Sequence, residues 1–215
     1  MKLKEKNEKT IRPPKSRLRE NIEAILVAVI LAMIIRTFIV QAFKIPSGSM
    51  KNTLLIGDHI LVNKFIYGVK IPFWGVTLIP VATPQRGDIV VFEYPRDPSK
   101  DFIKRVVGVA GDVVSIRDKK VFVNGAPLED GAYAIHSDDQ LRVERDFLEP
   151  VKIPPNSLFV MGDNRDNSHD SRFWGFVELS EVKGKAFIIY WSWNSDNQDS
   201  ILHYVRWGRI GHLLK

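Results

Sequence analysis

The hydrophobic rhythm of the chain changes once, near residue 44. Residues 24–35 read AILVAVILAMII without a polar position, and RTFIVQAF continues to Phe43, interrupted by Arg36. As a helix, residues 24–43 rise about 30 Å, the thickness of a hydrocarbon core. The pattern predicts one transmembrane helix, with Arg36 snorkelling or meeting a partner. An interfacial helix and a buried core helix are the alternatives. A cleaved signal peptide fits less well, because the run exceeds a usual apolar h-region and no small-x-small site follows it. Past Lys44 no helical period is sustained. Short runs rich in Val, Ile, Phe and Tyr take over: HILVNKFIYG (59–68), DIVVFEYP (88–95), DFIKRVVGV (101–109), DVVSIRD (112–118), KVFVNG (120–125), SLFVMG (157–162) and KAFIIYWSW (185–193). Gly87-Asp88, Gly111-Asp112, Asn124-Gly125 and Gly162-Asp163 separate them.

The expected fold is therefore mainly β: an antiparallel body with a small insertion, preceded by one N-terminal transmembrane helix. Asp118-Lys119-Lys120 reads as a tight hairpin turn. Residues 126–154 are polar and weakly patterned, which suggests a modest insertion or cap. The organisation is a basic tail (1–23), an anchor (24–43) and a body (44–215). The terminal run VRWGRIGHLLK (205–215) reads as a closing strand, too short to span a membrane.

Charge sharpens this division. The formal net charge is +6, and residues 1–23 contribute +4 of it through eight basic and four acidic groups. A tail of that kind stays cytoplasmic, which sends the body across the membrane. The remainder is nearly balanced, so nucleic-acid binding has little support. The absence of cysteine excludes disulfides and thiolate chemistry.

Three stretches carry candidate chemistry. FKIPSGSM (43–50) is either a turn leaving the anchor or a site in which Gly48 admits a substrate backbone between two hydroxyls. One serine would attack a carbonyl and the other would donate to the oxyanion. A base is then required. His169 beside Asp170 makes a Ser–His–Asp arrangement possible, and a solvated histidine is the plain alternative. Lys104, among Ile103, Val106 and Val107, is either a strand-edge lysine or an amine whose pKa burial lowers into a useful range. The third stretch, GDNRDNSHDSRFWG (162–175), is rich in carboxylates, yet it lacks the central Gly and final Glu of an EF-hand. An internally bonded loop with an Asp170–Arg172 ion pair is the better structural reading.

Taken together, FKIPSGSM, RGDIVVF (86–92), KRVVGVAGD (104–112) and GDNRDNSHDSRFWG, in this order behind an apolar segment, resemble the type I signal (leader) peptidases of bacteria. Those enzymes are serine proteases with a Ser–Lys dyad. The resemblance implies that Ser49 is the nucleophile and Lys104 the general base. It implies that Ser47 Oγ and the Ser49 N–H form the oxyanion hole, that Ser168 orients the lysine amine, and that Asp170 and Arg172 brace the site. Ile45, Met50, Leu54, Phe102 and Ile103 fall near the pocket for the small residue before the cut. No role follows for His169.

Further expectations come with the family. Substrates would be secretory precursors with signal peptides, cut after an Ala-x-Ala pattern, with no metal or cofactor. The enzyme would be a monomer in the bacterial cytoplasmic (inner) membrane, single-pass, its catalytic domain extracytoplasmic. Some of Trp174, Trp191, Trp193 and Trp207 would rest at the headgroup level. Two positions depart from the family pattern: Asn52 and Ala110 stand where proline is common.

Overall fold

A computed structural model describes residues 17–70, 77–79, 82–194 and 204–214. The chain divides into two compact units, Met1–Thr37 and Phe38–Lys215. In the first, helix α1 (Arg17–Ile34) carries Arg17, Arg19, Glu20 and Glu23 in its opening turns, followed by apolar positions from Ala24. A π-helical turn (Ile35–Ile39) continues from it.

The expected helix over 24–43 is thus too long. Val40–Lys44 forms a strand, β1, because its backbone pairs with β2 (Asp58–Asn63) in antiparallel register, from Val40 opposite Asn63 to Lys44 opposite His59. An apolar run has no local signal for where helix gives way to strand. Among the described residues no helix is long and apolar enough to cross a membrane.

The second unit is built from strands. After β1 and β2 come β3 (Val69–Lys70), β4 (Thr77–Ile79), β5 (Ile89–Tyr94), β6 (Asp97–Val109), β7 (Val113–Arg117), β8 (Lys120–Val123), β9 (Ala126–Pro127), β10 (Leu148–Lys152), β11 (Ser157–Met161), β12 (Val177–Glu178) and β13 (Val182–Ser192). Two four-residue helices, α2 (Val143–Asp146) and α3 (Ser171–Trp174), interrupt them. Seven strands form one antiparallel sheet in the order β1-β2-β13-β5-β6-β11-β12, and four form another in the order β10-β7-β8-β9. The predicted hairpin after β7 is present: Arg117 pairs with Lys120, and Asp118 and Lys119 both take positive φ, as a two-residue type I′ turn requires.

Alternation along the strands decides the packing. On β5, Ile89 and Val91 enter one core with Ile45, Met50, Leu54, Ile60, Val62 and Ile189. Val90 and Phe92 point the other way, into a core with Val106, Val160, Trp174 and Val177. A third core unites Phe159 and Met161 of β11 with Val114, Ile116, Val121 and Val123 of the smaller sheet. The sheets meet closely at Gly108, where a Cβ would stand 2.5 Å from Ile153 Cδ1 and 2.9 Å from Val114 Cγ2.

Two expectations need correction. The segment 126–154 is not only a cap, since β10 lies within it and pairs with β7; its exposed side chains and a register shift hide the alternation. Nor does the terminal run form a strand: it makes single bridges, Ile188 with Leu213 and Trp193 with Val205, around a 3-10 turn at Trp207–Arg209. Trp174 is a core residue, whereas Trp193 and Trp207 are exposed and meet Trp191 edge-on.

Candidate active site

The loop joining β1 to β2 carries Ser47, Gly48 and Ser49. Its base is pinned by the Ile45 N–H donating to Asp58 O (2.8 Å) and the Gly57 N–H donating to Ile45 O (3.0 Å). Met50 and Leu54 have no exposed surface and fasten the loop to the first core. Thr53 Oγ1 donates to Asp163 Oδ2 at 2.5 Å, which ties it to the segment following β11. That tie matters because β1 and β11 lie five strands apart in sheet order; the two loops join parts that sheet pairing leaves separate.

Lys104 projects from β6 toward this junction. Its Nζ lies 2.7 Å from Ser49 Oγ and 5.4 Å from the centre of the Phe102 ring. Only 4% of Lys104 is exposed. Burial lowers its pKa from 10.5 to about 8, against the opposing pull of the Asp170 and Asp163 carboxylates and with help from Arg172. The acids do not win because each is already claimed by a guanidinium. Asp170 accepts from Arg172 Nε and Nη2 at 2.8 and 2.9 Å, and Asp163 accepts from Arg105 Nε and Nη2 at 2.9 and 2.8 Å. Desolvation of the ammonium therefore decides the sign.

The loop after β11 completes the surroundings. The Gly162 N–H donates to Asp170 Oδ2 at 3.0 Å. A Cβ at Gly162 would lie 2.3 Å from Ser168 Oγ and 2.4 Å from Ser49 O, so no side chain fits between them. Ser168 Oγ is buried and has no hydrogen-bond partner among the described residues. The predicted Asp170–Arg172 pair is formed, and Arg172 also donates to Arg165 O at 2.7 Å. Asp166 does not join Asp163 or Asp170. It meets Lys119 at 3.2 Å and Arg145 at 3.4 Å instead.

A buried hydroxyl against a buried amine of lowered pKa is an activated-nucleophile arrangement. Chains of similar sequence carry a matching description. The family model for "Signal peptidase, peptidase S26" matches residues 18–191. A signal peptidase I from Pseudomonas fluorescens is 38% identical over 213 residues, covering 84% of this chain and 74% of its own. One from Aquifex aeolicus (strain VF5) is 35% identical over 229 residues, covering 81% and 85%.

The chain belongs to the signal peptidase family, peptidase S26. At the level of that family its function is that of a signal peptidase I, an enzyme of the serine-peptidase class. A crystal structure of a signal peptidase I from Enterococcus faecalis V583 covers 48% of this chain and 97% of its own at 29% identity. Its TM-score of 0.39 is too low to bear on the arrangement above.

Within this signal peptidase the remaining predicted residues are not all together. Ser47 is exposed and, among the described residues, its hydroxyl makes no hydrogen bond. Ile45, Met50 and Leu54 are buried in the first core with Ile103 packed against it, whereas Phe102, on the other face of β6, packs against the second. Phe102 stacks on Tyr94 at 4.4 Å between ring centres. His169 is exposed, its Nε2 3.3 Å from Tyr94 Oη and its ring stacked on Phe173, and among the described residues no hydrogen bond joins it to Ser49. Ala110 lines a cavity of about 520 Å³ with Thr83, Pro84, Arg86, Leu158 and Leu179, and that cavity includes no candidate site residue.

Asn164 has no role in the sequence reading of the GDNRDNSHDSRFWG stretch. Its backbone N–H donates to Ser49 O at 3.0 Å and its Nδ2 to Gly48 O at 3.1 Å. Arg105 was likewise unremarked, although its buried pair with Asp163 anchors the same junction. The density of Asp, Asn and Arg in 162–172 was the available signal.

Proposed function

We propose that this signal peptidase cuts signal peptides from exported precursors by a Ser–Lys mechanism, with Ser49 as nucleophile and Lys104 as general base. The observation that carries the reading is the 2.7 Å approach of Lys104 Nζ to Ser49 Oγ in a buried setting. Neutral Lys104 takes the Ser49 proton while Oγ attacks the scissile carbonyl carbon. The carbonyl electrons move to oxygen, and the oxyanion is held by the Ser49 N–H and by Ser47 Oγ, whose exposed hydroxyl is free to turn toward it. The Lys104 ammonium gives its proton to the departing amine as the C–N bond breaks. Water, deprotonated by Lys104, then releases the acyl-enzyme.

Ser168 Oγ, without a hydrogen-bond partner among the described residues, is free to turn to the amine and steer it, and Asp170 with Arg172 holds the loop that carries it. The cleavage segment pairs with an exposed strand edge, for which β1 is available as the terminal strand of its sheet. Small pockets near Ile45, Met50, Leu54, Phe102 and Ile103 admit Ala-x-Ala and reject larger residues sterically. The N-terminal apolar segment holds a single-pass monomer at the inner membrane, with the basic tail cytoplasmic and the body outside. Anchoring confines enzyme and precursor to one thin layer and raises their effective concentration.

The test is cleavage of a synthetic Ala-x-Ala precursor by the full chain in detergent. Ser49→Ala and Lys104→Ala abolish cleavage, and His169→Ala retains it. Robust turnover by Lys104→Ala refutes the assigned base.

A further inference from the structure

We propose that Asn164 is a positioning residue whose side-chain amide fixes the Gly48–Ser49 peptide so that the Ser49 N–H faces the oxyanion. The inference rests on the Ser49 mechanism above and adds to it the group that holds the oxyanion donor in place.

A peptide unit is a rigid plane, so the carbonyl of Gly48 and the N–H of Ser49 are its two opposed ends. Gly48 O accepts from Asn164 Nδ2 at 3.1 Å and from the Lys51 N–H at 3.1 Å. The next carbonyl, Ser49 O, accepts from the Asn164 N–H at 3.0 Å. One residue therefore grips two consecutive peptides around the nucleophile. Among the described residues the Ser49 N–H donates to no protein acceptor, and it is left for an incoming oxygen.

Gly48 makes such a grip necessary. Nothing lies within 4 Å of where its Cβ would stand, so no side-chain packing holds its peptide and hydrogen bonds must. Asn164 suits the task because it is itself held. It is 7% exposed, and Asn167 Nδ2 donates to its Oδ1 at 3.4 Å, which sets the amide with nitrogen toward Gly48. Donors on a carbonyl also polarise the N–H at the other end of the same plane, which strengthens it toward an anion.

The experiment compares wild type, Asn164→Ala and Asn164→Asp as full chains in detergent, each checked for native near-UV circular dichroism. Asn164→Ala keeps the backbone bond to Ser49 O and loses only the side-chain grip. Asn164→Asp keeps the size but turns an acceptor toward Gly48 O. Both should lower kcat about tenfold, less than deletion of an oxyanion donor, with KM within about twofold.

A peptide aldehyde of substrate sequence supplies the second readout. Ser49 Oγ adds to its carbonyl carbon as Lys104 takes the hydroxyl proton, and the C=O π electrons move to the oxygen, which takes the oxyanion position. Its affinity should fall by the same factor as kcat, while the matching peptide alcohol binds unchanged. A purely structural asparagine would shift stability and both ligands together. Folded variants with wild-type kcat, or aldehyde and alcohol weakened equally, overturn the inference alone. Cleavage by Ser49→Ala at the wild-type rate overturns the mechanism beneath it.

Discussion

Burying Lys104 carries an energetic cost that should be measurable as a function of pH. Its pKa falls from 10.5 to about 8 on folding. One unit corresponds to about 1.4 kcal/mol, so below pH 8 the folded state bears roughly 3 kcal/mol for holding the ammonium out of water. The sign follows from proton counting. Between pH 8 and 10.5 the unfolded chain binds more protons at this site than the folded one, so stability rises with pH across that window. Above 10.5 both states hold a neutral amine and the penalty is gone.

Lys104→Met keeps the stem and removes the titration. Chemical unfolding of wild type and Lys104→Met in detergent, at pH 7 and pH 10, isolates the effect, because other titrating groups cancel in the difference. Loss of the hydrogen bond to Ser49 offsets about 1 kcal/mol. The variant should be roughly 2 kcal/mol more stable than wild type at pH 7, and a change of about 2.5 kcal/mol between the two pH values should bring the pair level or slightly reverse their order by pH 10. A gap independent of pH, or one that widens with pH, would refute the reasoning that desolvation governs this lysine.

Three further outcomes follow from the same geometry. Since the neutral amine is the active form, kcat/KM on an Ala-x-Ala peptide should rise about tenfold from pH 7 to pH 9 with its midpoint near 8; a midpoint near 6.5 would indicate a histidine instead. Gly162→Ala drives a methyl group against Ser168 Oγ and the Ser49 carbonyl, and should cut kcat by about a hundredfold or more as the nucleophile shifts; turnover near wild type in a peptide assay would contradict so tight an approach. Asp170→Asn leaves the Arg172 guanidinium buried without its counter-charge, for an expected loss of about 3–5 kcal/mol in denaturant unfolding; a loss below about 1 kcal/mol would mean that water reaches the pair.

Much of the architecture was legible because it is local. Alternating Val and Ile runs bounded by Gly-Asp and Asn-Gly pairs state where strands begin and end, and Asp118-Lys119 between two of them states a hairpin. β1 was missed for a physical reason. Val40–Lys44 is apolar enough to extend a helix, and only pairing with β2 makes it a strand. β10 was missed because its exposed positions break alternation, and its partner β7 lies about thirty residues away.

The site divides in the same way. Motif identity picked out Ser49, Lys104, Asp170 and Arg172, and the Asp170–Arg172 pair is a short-range contact that the loop can make by itself. Side-chain chemistry was in the sequence, and so was the order of the motifs. Tertiary structure decided which groups share a space. Ser49 and Lys104 meet across 55 residues because the loop after β1 is fastened to the loop after β11 through Thr53, Asp163 and Asn164. His169, three residues before Arg172, is turned out to Tyr94. Such choices depend on which face of a twisted sheet each strand presents and on which carbonyls a distant loop can reach, and pairwise patterns along the chain do not encode them.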